Sequence, residues 1–128
     1  MRLENKIAII TGAASGFGEG MARRFAAEGA KVVVADLNEA SGNTIAEEIG
    51  GIFVKTDVSR DSEMANLVQT TVQTFGAVDI FVNNAGYTSR NSPMLDVDEE
   101  TFDRIYAVNV KAVYLSARHV IPEFRKKG

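Results

Sequence analysis

Ile7-Ala8-Ile9-Ile10-Thr11-Gly12-Ala13-Ala14-Ser15-Gly16-Phe17-Gly18 is the stretch whose reading decides the fold. The four consecutive apolar residues 7–10 read as a strand buried on both faces. They run directly into a turn carrying Gly12, Gly16 and Gly18, and a helical pattern comes next. Gly12 permits the tight turn. Gly16 and Gly18 allow backbone and helix to come close to a pyrophosphate, whose charge a helix N-terminus favours. The spacing is G-x-x-x-G-x-G, not the G-x-G-x-x-G of the general dinucleotide fingerprint, but it serves the same physics. An ordinary glycine-rich loop is the competing reading in a chain with 11 glycines. A P-loop is excluded because the turn has no Gly-Lys-Ser/Thr after it.

Outward from this stretch, apolar runs recur at 32–35, 52–54 and 80–82. Each is continuous and not alternating, as in parallel strands covered by helices on both faces. Helical patterns fill the intervals. Residues 18–28 place Met21, Ala22, Phe25 and Ala26 on one face, and 38–49 form a second helix, each followed by glycine as a stop. In the third helix Asp61 and Glu63 favour the first turn, Met64, Leu67, Val68, Val72 and Phe75 make the buried stripe, and Gly76 ends it. A fourth helix is expected over 98–126 with Phe102, Ile105, Tyr106, Val113 and Val120 on its apolar face and a disturbance at Pro122. Four strand-helix alternations with right-handed crossovers predict an α/β, Rossmann-type doubly wound parallel sheet of about four strands, ordered 3-2-1-4, with helices on both faces. The longest irregular stretch, 87–97, leaves the carboxyl end of the fourth strand, where such sheets form their ligand crevice.

Three further positions suit a dinucleotide. Asp36 ends the second strand, 18 residues beyond Gly18, where a carboxylate accepts hydrogen bonds from both hydroxyls of an adenosine ribose and repels a 2'-phosphate. With no basic residue at Ser15 or Leu37 to compensate, NAD is preferred over NADP. The alternative for Asp36 is a strand-end turn or a helix cap. Asn83-Asn84-Ala85-Gly86, at the end of the fourth strand, combines two amides with two small residues that give close backbone access, although a plain turn has the same composition. The candidate cofactor set from the glycine turn and the second strand is therefore Gly12, Ser15, Gly16, Phe17, Gly18, Asp36 and Leu37. Asn109 lies seven residues after Phe102 and four before Val113, an amide on an otherwise apolar helix face. A buried, satisfied structural amide would look the same.

Together, residues 11–18 (Thr-Gly-Ala-Ala-Ser-Gly-Phe-Gly), Asp36, Asp57-Val58 and Asn83-Asn84-Ala85-Gly86 resemble the short-chain dehydrogenase/reductase family across essentially the whole chain. The resemblance implies that Asp57 and Val58 line an adenine site, that Asn83, Ala85 and Gly86 border the cofactor, and that Asn109 matches the asparagine of the catalytic tetrad. It also implies an NAD(P)-dependent oxidoreductase moving hydride between nicotinamide and an alcohol or carbonyl substrate. In that family the catalytic serine lies on the next strand and the Tyr-x-x-x-Lys pair on the helix beyond. Tyr106 and Lys111 do not replace the pair, being five residues and about 140° apart on a helix. Tyr114 is followed four residues later by Arg118, which does not readily lose its proton. Residues 1–128 are therefore expected to be a single domain, the N-terminal cofactor-binding portion without the C-terminal catalytic portion, inactive alone. The alternative is a non-catalytic nucleotide-binding or self-associating fragment.

Composition narrows the partners. The net charge is -3, from 17 acidic and 14 basic residues, with a basic run only at Arg125, Lys126 and Lys127, so neither nucleic acid nor an anionic membrane is indicated. No cysteine and a single histidine, His119, exclude disulfides and argue against a metal site. Arg2, Glu4 and Lys6 precede an apolar run too short for a signal peptide or membrane span, and a soluble cytoplasmic protein is expected. An unpaired fourth strand and an under-covered last helix predict a homo-oligomer, with a dimer favoured.

Overall fold

The computed structural model describes residues 1–88 and 91–128. Four strands, β1 (Ile7–Thr11), β2 (Lys31–Asp36), β3 (Ile52–Lys55) and β4 (Ile80–Val82), form one sheet in the order β3-β2-β1-β4, with every pairing parallel. The expected 3-2-1-4 order is the one observed. The crossovers are α1 (Gly16–Ala27), α2 (Glu39–Ile49) and α3 (Asp61–Phe75), and α4 (Glu99–Tyr106) and α5 (Ala112–Lys127) come after β4.

Because side chains alternate across a strand, each continuous apolar run supplies two cores at once. Ile10, Val32 and Val34 pack on one face with Ala22 of α1 and Ile45 and Ala46 of α2. Ile9, Val33, Ala35 and Val54 pack on the other with Met64, Leu67 and Val68 of α3 and Leu115 and Val120 of α5. Ile9 is fully buried, which alone is worth roughly 2–3 kcal/mol relative to exposure. The helix ends obey local chemistry. The Asn38 side chain accepts from the Ser41 amide at the start of α2, and Gly50 and Gly76 adopt left-handed geometry (φ 71° and 93°) to end α2 and α3.

The last helical region departs from its sequence reading in one way: it is not a single α-helix over 98–126, although it does continue through Pro122 as expected. A π turn, Ala107–Lys111, separates α4 from α5, and α5 runs through Pro122 to Lys127. Each residue added to a turn rotates the remainder of the helix by about 100°, so positions before and after the π turn do not share the stripe a uniform helix would give them. Of the expected apolar face Val120 is buried, together with Val108, Ala112 and Leu115, whereas Phe102, Tyr106 and Val113 are exposed.

Candidate functional site

The site begins where β1 and β4 end side by side. The Thr11 hydroxyl donates to the Val82 carbonyl (3.2 Å) and accepts from the backbone amides of Asn84 and Ala85 (3.0 Å each). The Asn84 side-chain amide donates back to the carbonyls of Thr11 (3.1 Å) and Gly12 (3.3 Å). Thr11 and Asn84 thus fasten the glycine turn to the loop after β4. That fastening explains two glycines. A Cβ at Gly12 would stand 2.9 Å from the Ala85 Cα, and one at Gly18 would collide with the Gly12 carbonyl and the Asn84 amide. Gly16 differs: it has φ +57°, and a Cβ there would meet nothing within 4 Å.

These elements open onto a cavity of about 430 Å³ at the carboxyl edge of the sheet. Gly12, Ser15, Gly16 and Phe17 form its α1 side, and Asp36 and Leu37 its β2 side. Asp57 and Val58 come from the segment after β3, Ala85 and Gly86 from the loop after β4. Most of the sequence-derived candidates thus converge on one volume. Gly18 is buried beneath the turn and is not part of the wall. Asn83 also lies outside the wall, its amide oxygen accepting from the Ser116 hydroxyl of α5 at 3.1 Å. Alternation along β4 accounts for the divergence of the two asparagines. Phe81 packs with the α3/α5 core and Val82 with the α1/α2 core, so the residue two beyond each continues to its own side.

Asp36 is held from both ends. One carboxylate oxygen accepts from the Ala14 amide and the other from the Asn38 amide, each at 3.0 Å. The turn role and the cavity role therefore coexist in one side chain. Asp57 accepts from the Ser59 amide (3.0 Å) and hydroxyl (2.6 Å) and lies 3.5 Å from Arg104 of α4. Burial pushes the Asp57 carboxyl up, but the Ser59 hydrogen bonds and the Arg104 guanidinium outweigh it and hold the group below the usual carboxylate range.

Asn109 is exposed and sits in the π turn. Its amide oxygen accepts from the Tyr87 amide and its nitrogen donates to the Tyr87 carbonyl, both at 2.8 Å. The side chain thereby pairs with the backbone that leaves β4, in the two-bond manner of a strand partner. Tyr87, Arg104 and Val108 line the cavity as well; Tyr87 opens the 87–97 stretch expected at the crevice, whereas the sequence drew no attention to Arg104 and Val108 as site residues. The only signal was position: Tyr87 comes directly after Gly86, and Arg104 and Val108 are four apart, hence on one side of a helical segment. Tyr114 stays out of the cavity wall, with the Arg118 guanidinium 6.0 Å above its ring on α5. Among the described residues, no group of three or more His, Cys, Asp or Glu is placed to hold a metal, and no helix is long and apolar enough to cross a membrane.

A parallel 3-2-1-4 sheet with a glycine turn leading from its central strand into a helix defines a Rossmann-like α/β protein. Within that class the chain belongs to the short chain dehydrogenase family, whose profile matches residues 6–128. This makes it part of an oxidoreductase family. It is 44% identical to 4-formylbenzenesulfonate dehydrogenase of Comamonas testosteroni, with all of this chain and 53% of the relative covered. It is 40% identical to secoisolariciresinol dehydrogenase of Forsythia intermedia, over 92% of this chain and 44% of the relative. Among solved structures it superposes on a 3-ketoacyl-(acyl-carrier-protein) reductase from Brucella melitensis complexed with NADH, with a TM-score of 0.95 and 46% identity over 98% of this chain and 52% of the other. The chain spans about half the length of the curated relatives it matches.

Proposed function

We propose that residues 1–128 hold a nicotinamide dinucleotide, NAD in preference to NADP, as the cofactor-binding part of an oxidoreductase acting on an alcohol or carbonyl substrate. The observation that carries this reading is that the Asp36 carboxylate and the open turn at Gly16 share one cavity. The first-turn amides of α1, with Ser15, Gly16 and Phe17, would take the pyrophosphate. Asp36 and Leu37 would take the adenosine ribose, with Asp36 disfavouring a 2'-phosphate. Asp57 and Val58 would border the adenine, and Ala85 and Gly86 the remainder of the dinucleotide, whereas Asn83, expected beside them, turns to Ser116 outside the cavity wall. When bound, the cofactor supplies the hydride acceptor or donor.

Asn109 has a positioning role in this scheme: through its two bonds to Tyr87 it sets the path of the loop beside the nicotinamide half. Proton transfer to the substrate oxygen falls to the serine and Tyr-x-x-x-Lys groups that the family carries beyond the matched half. Residues 1–128 alone therefore bind without turnover.

Calorimetric titration with NAD and NADP, paired with a hydride-transfer assay on the same sample, tests this. NAD binding without turnover is expected. Asp36→Ala should weaken NAD binding about tenfold, the order of a lost hydrogen bond to a charged group. Unchanged affinity removes the ribose assignment, and tighter binding of NADP than NAD by the wild type overturns the preference.

A second reading, self-association, is favoured by the exposed apolar side chains of Tyr106, Val110, Val113, Tyr114 and Ile121 around the π turn and α5. A homodimer is expected by light scattering, and a monodisperse monomer at high concentration removes it.

A further inference from the structure

One cation reaches the cavity wall from α4, and its contacts come from different parts of the chain. Arg104 Nη1 lies 3.5 Å from Asp57 Oδ2 and 3.3 Å from the Ser59 hydroxyl oxygen, both in the segment after β3. Its guanidinium carbon stands 5.8 Å from the centroid of the Tyr87 ring, in the loop after β4. Ser59 occupies Asp57 Oδ1 with two short hydrogen bonds, whereas Asp57 Oδ2 has only the longer ion pairs to Arg104 at 3.5 Å and Arg60 at 3.8 Å. Oδ2 is therefore the oxygen with acceptor capacity to spare, and Arg104 is the side chain that joins it to the opposite wall. Arg60 comes from the same segment as Asp57, and its side chain is more exposed than that of Arg104, 69% against 38%. A planar guanidinium also engages a carboxylate and an aromatic face together, which an ammonium does less well.

We infer that Arg104 is a positioning residue for base selection: by holding the Asp57 carboxylate against the cavity wall it makes the site choose a 6-aminopurine over a 6-oxopurine dinucleotide. The inference rests on the proposed cofactor site. A carboxylate accepts hydrogen bonds and donates none, so it matches the N–H of a 6-amino group and opposes the oxygen of a 6-oxo group. Arg104 touches no base itself in this scheme; its action is through Asp57.

The test is titration of the wild-type protein, Arg104→Ala, Arg104→Lys and Asp57→Ala with NAD and with nicotinamide hypoxanthine dinucleotide, its 6-oxopurine analogue. The wild type should prefer NAD by about tenfold. Arg104→Ala should lose most of that preference, Arg104→Lys should recover part of it, and the Arg104→Ala/Asp57→Ala pair should be no worse than Asp57→Ala alone, as for residues acting as a unit. A preference unchanged in Arg104→Ala overturns the inference. So does an equal loss of both dinucleotides accompanied by a lowered melting temperature, the signature of a merely structural arginine. A wild type that binds NAD but does not discriminate overturns the base assignment alone, whereas a wild type that binds neither dinucleotide overturns the cofactor reading as well.

Discussion

β1 and β4 are neighbours in one sheet, joined through Ala8↔Ile80, Ile9↔Phe81 and Ile10↔Val82, and both are apolar throughout that pairing. Yet all five residues of β1 are buried and all three of β4 are only half-buried. Composition does not separate them. β1 has a strand on each side, whereas β4 pairs among the described residues with β1 alone. Burial is thus conferred by position in the sheet, and the cavity sits on the seam between its best-covered and its least-covered strand. The glycine turn leaves the fully buried side of that seam, and the loop carrying Ala85, Gly86 and Tyr87 leaves the half-buried side.

The sharpest way to break this contrast is to overfill one side or hollow out the other. Ile9→Ala should lower unfolding free energy by about 4 kcal/mol, since a buried cavity adds to the lost transfer energy, while Ile80→Ala should lose about 1.5 kcal/mol. Urea denaturation of the pair measures both, and equal losses would contradict the asymmetry. Gly18→Val should lose about 3 kcal/mol, because its side chain has only the Gly12 carbonyl and the Asn84 amide to move. Thr11→Val keeps the shape of the side chain and leaves the Asn84 and Ala85 amides without their acceptor, for a loss of about 2 kcal/mol in the same measurement.

The smallest effect concerns acid. At the amino end of the seam the Asp79 carboxylate accepts from the Ile7 amide at 2.9 Å and from the Lys127 ammonium. Burial raises its pKa, but the hydrogen bonds from Lys127 and Ile7 outweigh burial and hold it below the usual carboxylate value. The unfolded chain then binds a proton more readily than the folded one. The contribution is fully present above the ordinary carboxylate pKa of about 4 and is lost as pH falls through the lower folded value. Asp79→Asn should therefore flatten the decline of the urea midpoint below about pH 4.5, and an unchanged slope would show that the pair contributes nothing.

Much of the sheet was legible because it depends on short-range patterns: continuous apolar runs, glycine stops and a glycine turn at the right junction. Asp36 and the glycine turn could be placed because strand ends in a parallel sheet converge on one edge, whereas Asp57 came only from the resemblance to the family. Other features escaped. The expected face Phe102, Ile105, Tyr106, Val113 and Val120 runs across the π turn at Ala107–Lys111, which leaves no mark in composition, and of its members Val120 is buried while Phe102, Tyr106 and Val113 are exposed. Asn83 and Asn84 are adjacent and chemically identical, and only the facing of β4 separates the one that touches Ser116 from the one that binds the glycine turn. Arg104 is one charge among 14 basic residues until Asp57 and Tyr87 are brought beside it.

The bonds that fasten the two loops join residues 71 to 74 positions apart in the chain. Closing so long a loop carries an entropic cost that local structure does not offset, so the turn can be formed and the cavity still absent. During synthesis the glycine turn exists before its partner does, and Thr11 gains its bonds to the loop after β4 only once Asn84 and Ala85 have emerged.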